Sequence, residues 1–301
     1  MIPLFDCHCD TISRVMTEGG SLRKNSFHTD LERLRKFTPC AQVFAVCAET
    51  LDRPVEKADA MLRRLSQEIE GNSDIVMLCL NFHDIKKAAE SGKVAVFISI
   101  EGCEQISSLE SAYQDGVRVL HPTWNFDNEL CGAAMGSGKG LTEKGRAFVK
   151  KAQHMGFALD MSHISERGFW DTLEVCEKPV IAGHSNAKAL CDVPRNLTDE
   201  QFNALVDVGG GAGINLYPEF LGLGKDINAV IAHIEHFFSL GGERSVFLGC
   251  DFDGIDSTPT GLDGVQKLDK LYNELLNRNY PEALVKALFW DNLYDIMEKM
   301  L

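Results

Sequence analysis

The sequence predicts an α/β protein built as a (β/α)8 TIM barrel. Three observations carry that prediction. Eight short runs rich in Val, Ile and Phe alternate with longer amphipathic stretches. The short runs are apolar almost throughout, as strands covered on both faces are. The chain has 301 residues, enough for the roughly 250 of this architecture plus terminal helices. An open doubly wound sheet is the competing arrangement, but no Gly-x-Gly-x-x-Gly follows the first strand.

The strands are expected at 2–8, 41–47, 94–101, 117–121, 157–163, 179–184, 211–216 and 245–251. Helices are expected between them at 54–70, 105–115, 143–155, 165–176, 198–207 and 227–240. Thr198 followed three residues later by Gln201 is a capping-box pattern. Gly156 is a natural stop for 143–155. Residues 21–40 and 252–262 read as loops or irregular insertions, and 263–301 as two or three terminal helices, for example 282–300. No repeat or low-complexity linker divides the chain, so 1–301 is expected to be a single domain.

Thirty Lys and Arg stand against 44 Asp and Glu, a net charge of −14. That balance argues against nucleic-acid and anionic-membrane partners, which want clustered cations. No apolar run approaches the roughly 20 residues of a membrane span, and the opening residues lack the pattern of an export signal. Ten scattered cysteines, none in Cys-x-x-Cys, then read as reduced and mostly buried thiols of a cytoplasmic protein.

In this architecture chemistry sits at the C-terminal ends of the strands. Six of the expected ends offer a carboxylate or an imidazole: Asp6-Cys7-His8-Cys9-Asp10, Glu101, His121, Asp160 with His163, His184, and Asp251 with Asp253. Singly, each has a plain structural reading as a core histidine, a cap or a turn former. Jointly they do not, because such groups are costly to bury unless paired or bound to a cation. A strand period of two places His8 and Asp10 on one face, with Cys7 and Cys9 turned toward the helices. Cys7 and Cys9 as a metal pair is the competing reading. Imidazole nitrogens with carboxylate oxygens suit zinc or a similar divalent metal. Five donors are too many for one open zinc and suit two, about 3.5–4 Å apart. Glu101 is then the natural bridge, with His8 and Asp10 on one side and His163 and His184 on the other.

The same residues resemble the membrane (renal-type) dipeptidases, metallopeptidases of the amidohydrolase superfamily. The resemblance rests on Asp6-x-His8-x-Asp10, Ile100-Glu101-Gly102, Leu120-His121 and the run 140–165 ending at His163. It continues with 180–187 around His184, Pro194-Arg195-Asn196-Leu197 and 249–256 around Asp251, in the family's order. Cys7 stands where the family usually has Gly or Thr.

The resemblance implies a dinuclear zinc site with His8, Asp10, Glu101, His163 and His184 as ligands. It implies Asp251 as the acid and base, and His121 as a contact to the scissile carbonyl or its tetrahedral successor. Arg195 is implied as the clamp on the substrate's terminal carboxylate. Hydrolysis of small dipeptides by a hydroxide held between the two zinc ions follows, L,D-dipeptides included, and a homodimer. Another amidohydrolase-type reaction on a small amide, lactone or ester is the alternative. A metal-binding scaffold without turnover ranks last, because the expected ligands and Asp251 are all present. The Gly-rich stretches 132–140 and 209–211 fail the phosphate-loop pattern. Trp124 and Tyr217 follow strand ends and can line a pocket or simply pack. His28, His83, His154, His233 and His236 read as structural or solvated.

Overall fold

The computed structural model describes residues 1–301 except Glu49, Leu51 and Leu223. Among the described residues, nine parallel strands form one sheet. They are β1 (Leu4–Cys9), β2 (Cys40–Val46), β3 (Val76–Leu78), β4 (Val94–Glu101) and β5 (Val117–His121), then β6 (Ala158–Leu159), β7 (Ile181–Ala182), β8 (Gly211–Ile214) and β9 (Val246–Leu248). Eight follow the order β6-β5-β4-β2-β1-β9-β8-β7. A parallel bridge from Asp160 to Ile181 joins β6 to β7, so the sheet curls into a nearly closed barrel. The expected (β/α)8 fold is what forms.

All eight expected runs contain a barrel strand. The extra strand, β3, pairs with the first residues of β4 outside the barrel path. Three residues are too few to show a period in the sequence. The ladders of β6 and β7 are much shorter than their apolar runs, because the chain leaves the ladder early to aim Asp160, His163 and His184.

Five of the six expected helices form close to their predicted bounds, and 105–115 shrinks to Leu109–Gln114 behind a 3₁₀ turn. The Thr198 capping box is present, and Gly156 ends its helix at φ 89°. Helices Thr11–Glu18 and His83–Glu90 were not anticipated. The first begins at Asp10, inside the stretch read as a strand end. The expected irregular stretch 21–40 holds one turn, Leu31–Leu34, capped by the Asp30 carboxylate accepting from the Arg33 N–H.

One expectation fails in detail. Asp6 pairs with Gln42 and Cys9 with Phe44, so β1 carries one residue more than β2 between these points. This bulge breaks the period of two. Cys7 joins the barrel interior with Phe5, Phe97 and Phe247, while Cys9 packs in the layer between barrel and helices. Cys7 therefore does not face the helices, and the two thiols, on opposite sides of the sheet, are not a metal pair.

The base of the barrel is closed from outside. Trp290, Leu293, Ile296, Met297 and Met300, from the terminal stretch 282–300, join the interior cluster. Asn292 donates to the carbonyls of Glu243 and Val246 at the start of β9. Phe5 is the centre of this plug, with its ring 6.1 Å from Phe97 and 5.6 Å from Trp290. Phe5→Ala leaves a cavity there and is expected to cost about 3–5 kcal/mol, read as a lowered midpoint in urea unfolding with an unchanged slope.

Candidate metal centre

The strand ends converge on a buried cluster around Glu101. β4 carries Glu101 to the mouth of the barrel, and its two carboxylate oxygens face different partners. Oε2 lies 3.6 Å from His8 Nε2, which is 3.1 Å from Asp10 Oδ2. Oε1 lies 2.8 Å from His163 Nε2 and 3.3 Å from His184 Nε2. Asp251 Oδ1 stands 3.8 Å from His8 Nε2. All five predicted ligands and Asp251 are thus together.

Unusual backbone holds part of this arrangement. His163, Asp251 and Asp253 sit at φ 70°, 59° and 70°. Non-glycine residues rarely occupy this left-handed region unless their surroundings impose it. The surroundings are visible for Asp253, whose carboxylate accepts from Thr11 Oγ1 and from the N–H groups of His28 and Thr29. At His163 the backbone carbonyl accepts from the Ala134 N–H, and the ring Nδ1 meets Asn125 Oδ1 at 2.9 Å.

The electrostatics favour a cation. Burial alone works against a charged His8, yet Glu101, Asp10 and Asp251 outweigh it and hold its pKa well above the usual value. Burial also opposes ionisation of Glu101, but His8 and His163 keep that carboxyl well below its usual range. Burial, then the Arg195 guanidinium, pushes His163 down to about 3, so its imidazole is neutral. Asp251 is raised to about 6, first by burial. An ionised Glu101 beside the neutral imidazole of His163 is what a divalent cation binds. Asp10 Oδ1 is buried without a hydrogen-bond partner, a state that a bound ion relieves.

His121 is fully buried and lies with His8, Glu101 and His184 rather than on the cavity wall. Neither ring nitrogen has a hydrogen-bond partner, and Nε2 is 3.5 Å from Asp160 Oδ2. Arg195 does line the cavity above the cluster, at 3.1 Å from His163 Nε2. That cavity measures about 290 Å³, and Trp124, Met135, Tyr217, Phe220 and Ile255 form its apolar wall.

The chain matches known proteins along its whole length. The family model described as membrane dipeptidase, peptidase family M19, matches residues 1–300. The chain belongs to this family. A Klebsiella pneumoniae protein, described only by its position in the pqqA 5′ region, is 33% identical over 264 residues. The match covers 82% of this chain and 97% of that protein. A Rhodobacter sphaeroides metallo peptidase, solved with a phosphinate mimic of the dipeptide L-Ala-D-Ala, superposes with a TM-score of 0.91 at 25% identity. It covers 100% of this chain and 99% of its own. The metallo peptidase dipeptidase AC superposes at 0.88 and 26% identity, covering 99% and 98%. The resemblance read from the motifs is therefore correct, and the chain is a hydrolase of a metallo-dipeptidase family. Despite the family's name, no helix among the described residues is long and apolar enough to cross a membrane.

Several residues that support this membrane dipeptidase-family site were given no part in it from the sequence. Asp160 accepts from the N–H groups of Ser162 and Gly183 and turns its other oxygen to His121. Asn215 donates to Asp251. His233 ties two mouth loops together: its Nδ1 accepts from the Ala187 N–H, and its Nε2 meets the Leu221 carbonyl at 3.2 Å. The structural reading of His233 from the sequence is the one the fold shows.

Burial pushes His233 down to about 4 from 6.5, so the folded state binds a proton less readily than the unfolded chain. His233 thus contributes full stability above 6.5 and loses it toward 4, at about 1.4 kcal/mol per pH unit. Urea unfolding across that pH range is expected to show this decline. His233→Gln is expected to be less stable than the parent at neutral pH and to show a shallower decline.

Proposed function

We propose that this chain hydrolyses the peptide bond of small dipeptides with two zinc ions held at the mouth of the barrel. What supports the reading is the division of the donors around Glu101: His8 and Asp10 at Oε2, His163 and His184 at Oε1. A single carboxylate flanked by two donor pairs is the geometry of a bridge between two cations. The ions would supply a hydroxide at neutral pH and polarise the scissile carbonyl.

The chain's own residues do the rest. Arg195 offers a planar fork to the substrate's terminal carboxylate, and its burial strengthens that contact. Asp251 lines the cavity beside the cluster, placed to take a proton from the attacking water and pass it to the leaving amine. In the reading carried over from the family, His121 stabilises the charge that develops on the carbonyl oxygen. The cavity has room for a dipeptide and its apolar wall shelters the reaction from water. The Rhodobacter relative was solved with a mimic of L-Ala-D-Ala, which makes L,D-dipeptides the first substrates to try.

The proposal takes residues 1–301 as one domain, since β1 pairs with β9 and the terminal helices plug the barrel. It also places the chain in the cytoplasm. Buried thiols such as Cys7, Cys9 and Cys250, all held well above the usual thiol pKa by burial, fit a reducing compartment.

Elemental analysis of the purified protein is expected to find two zinc ions per chain, with chelation abolishing turnover of an L,L- and L,D-dipeptide panel. No cleavage of any panel member by metal-loaded protein would sink the reading. Arg195→Met is expected to raise KM about 10- to 100-fold for carboxylate-terminated substrates. Little change there would favour a small amide, lactone or ester instead. Asp251→Asn is expected to lower kcat by about 10²–10⁴ with metal content unchanged.

A further inference from the structure

We infer that Asn215 is the positioning residue that dedicates one oxygen of Asp251 to proton transfer. The inference rests on the dipeptidase reading above for the role of Asp251, and on hydrogen-bond geometry for the rest.

Asn215 follows β8 and is fully buried. Its backbone is fixed by a reciprocal pair with Asn186, also fully buried: the Asn215 N–H donates to Asn186 Oδ1 at 3.0 Å, and Asn186 Nδ2 donates to the Asn215 carbonyl at 2.9 Å. Its side chain has no freedom left. The Tyr217 N–H donates to Asn215 Oδ1 at 2.7 Å, which settles which end of the amide is oxygen. Nδ2 must then face the other way. It donates to Asp251 Oδ2 at 2.8 Å and to the His184 carbonyl at 3.3 Å.

An amide nitrogen donates and cannot accept. Oδ2 of Asp251 is therefore held as an acceptor, and a proton placed there would weaken the bond from Asn215 Nδ2. The remaining oxygen, Oδ1, faces the cluster at 3.8 Å from His8 Nε2. Oδ1 is thus the atom that takes the proton released when the water O–H breaks and its oxygen bonds to the carbonyl carbon. The same atom returns that proton to the amine nitrogen as the C–N bond breaks. Asn215 touches neither water nor substrate in this scheme. It acts through the orientation of Asp251, and it ties that orientation to the β7 loop through His184 and Asn186.

The test is a double-mutant cycle on a cleaved dipeptide, with metal content measured in every variant. Asn215→Ala is expected to lower kcat about 10- to 100-fold while KM stays within about threefold and zinc is retained. In an Asp251→Asn background the same change is expected to cost less than about twofold more. Unchanged kcat, an equal loss in both backgrounds or a loss of zinc would each overturn the inference. Asn215→Asp keeps the shape and the Tyr217 contact, and the same readouts apply to it should the alanine variant fail to fold. A crystal structure of either variant provides a readout independent of substrate. The Asp251 carboxylate is expected to turn away from its parent orientation, and an unmoved carboxylate overturns the inference whatever the enzyme cleaves. A parent enzyme that cleaves no dipeptide would instead count against the proposed function.

Discussion

Three carboxylates and four imidazoles crowd the mouth of this barrel, where water reaches only a small part of them. Packing cannot stabilise such a group. Each ionised side chain taken out of water costs several kcal/mol, and the hydrogen bonds among them leave Asp10 Oδ1 without a partner. Positive charge at the centre is the only term large enough to offset this. The fold around the cluster makes sense as a device that holds the donors in place before an ion arrives. The longer ladders run from β1 through β2 and β4 to β5 and form one wall, with register shifts in the β1–β2 and β4–β5 pairs. Short ladders and left-handed turns on the other side aim individual side chains.

That division of labour explains which parts of the protein could be read from its residues. The eight barrel strands were legible because a strand buried on both faces must be apolar over most of its length, and few other segments are. Helix ends at Thr198 and Gly156 were legible because capping chemistry is local. The candidate ligands stood out because His8, Asp10, Glu101, His163 and His184 each interrupt or end an apolar run.

What stayed hidden was set by tertiary pairing. Nothing in the residues from Leu4 to Asp10 announces that β1 carries an extra residue opposite β2, yet that bulge turns Cys7 inward. The periodic argument placed His8 and Asp10 together correctly but assigned Cys7 the wrong side. The supporting residues were hidden for a related reason. Asp160, Asn215 and His233 are common residue types, and their roles come from hydrogen bonds to segments 23, 36 and 46 positions away. His121 is fully buried within the cluster and is not among the residues that line the cavity.

The plug at the foot of the barrel has a consequence for how the molecule comes into being. Leu293, Met297 and Met300 fill the space beneath Phe5, Phe97 and Phe247, and Lys178 just before β7 donates to the carbonyl of Met300. These residues leave the ribosome after every strand they seal. During synthesis the eight strands must therefore wait with a greasy, open-ended interior. A nascent chain can assemble the ladders early, but the floor is filled only when the helix Asn292–Met300 arrives. Timing of maturation is thereby written into the order of the polypeptide.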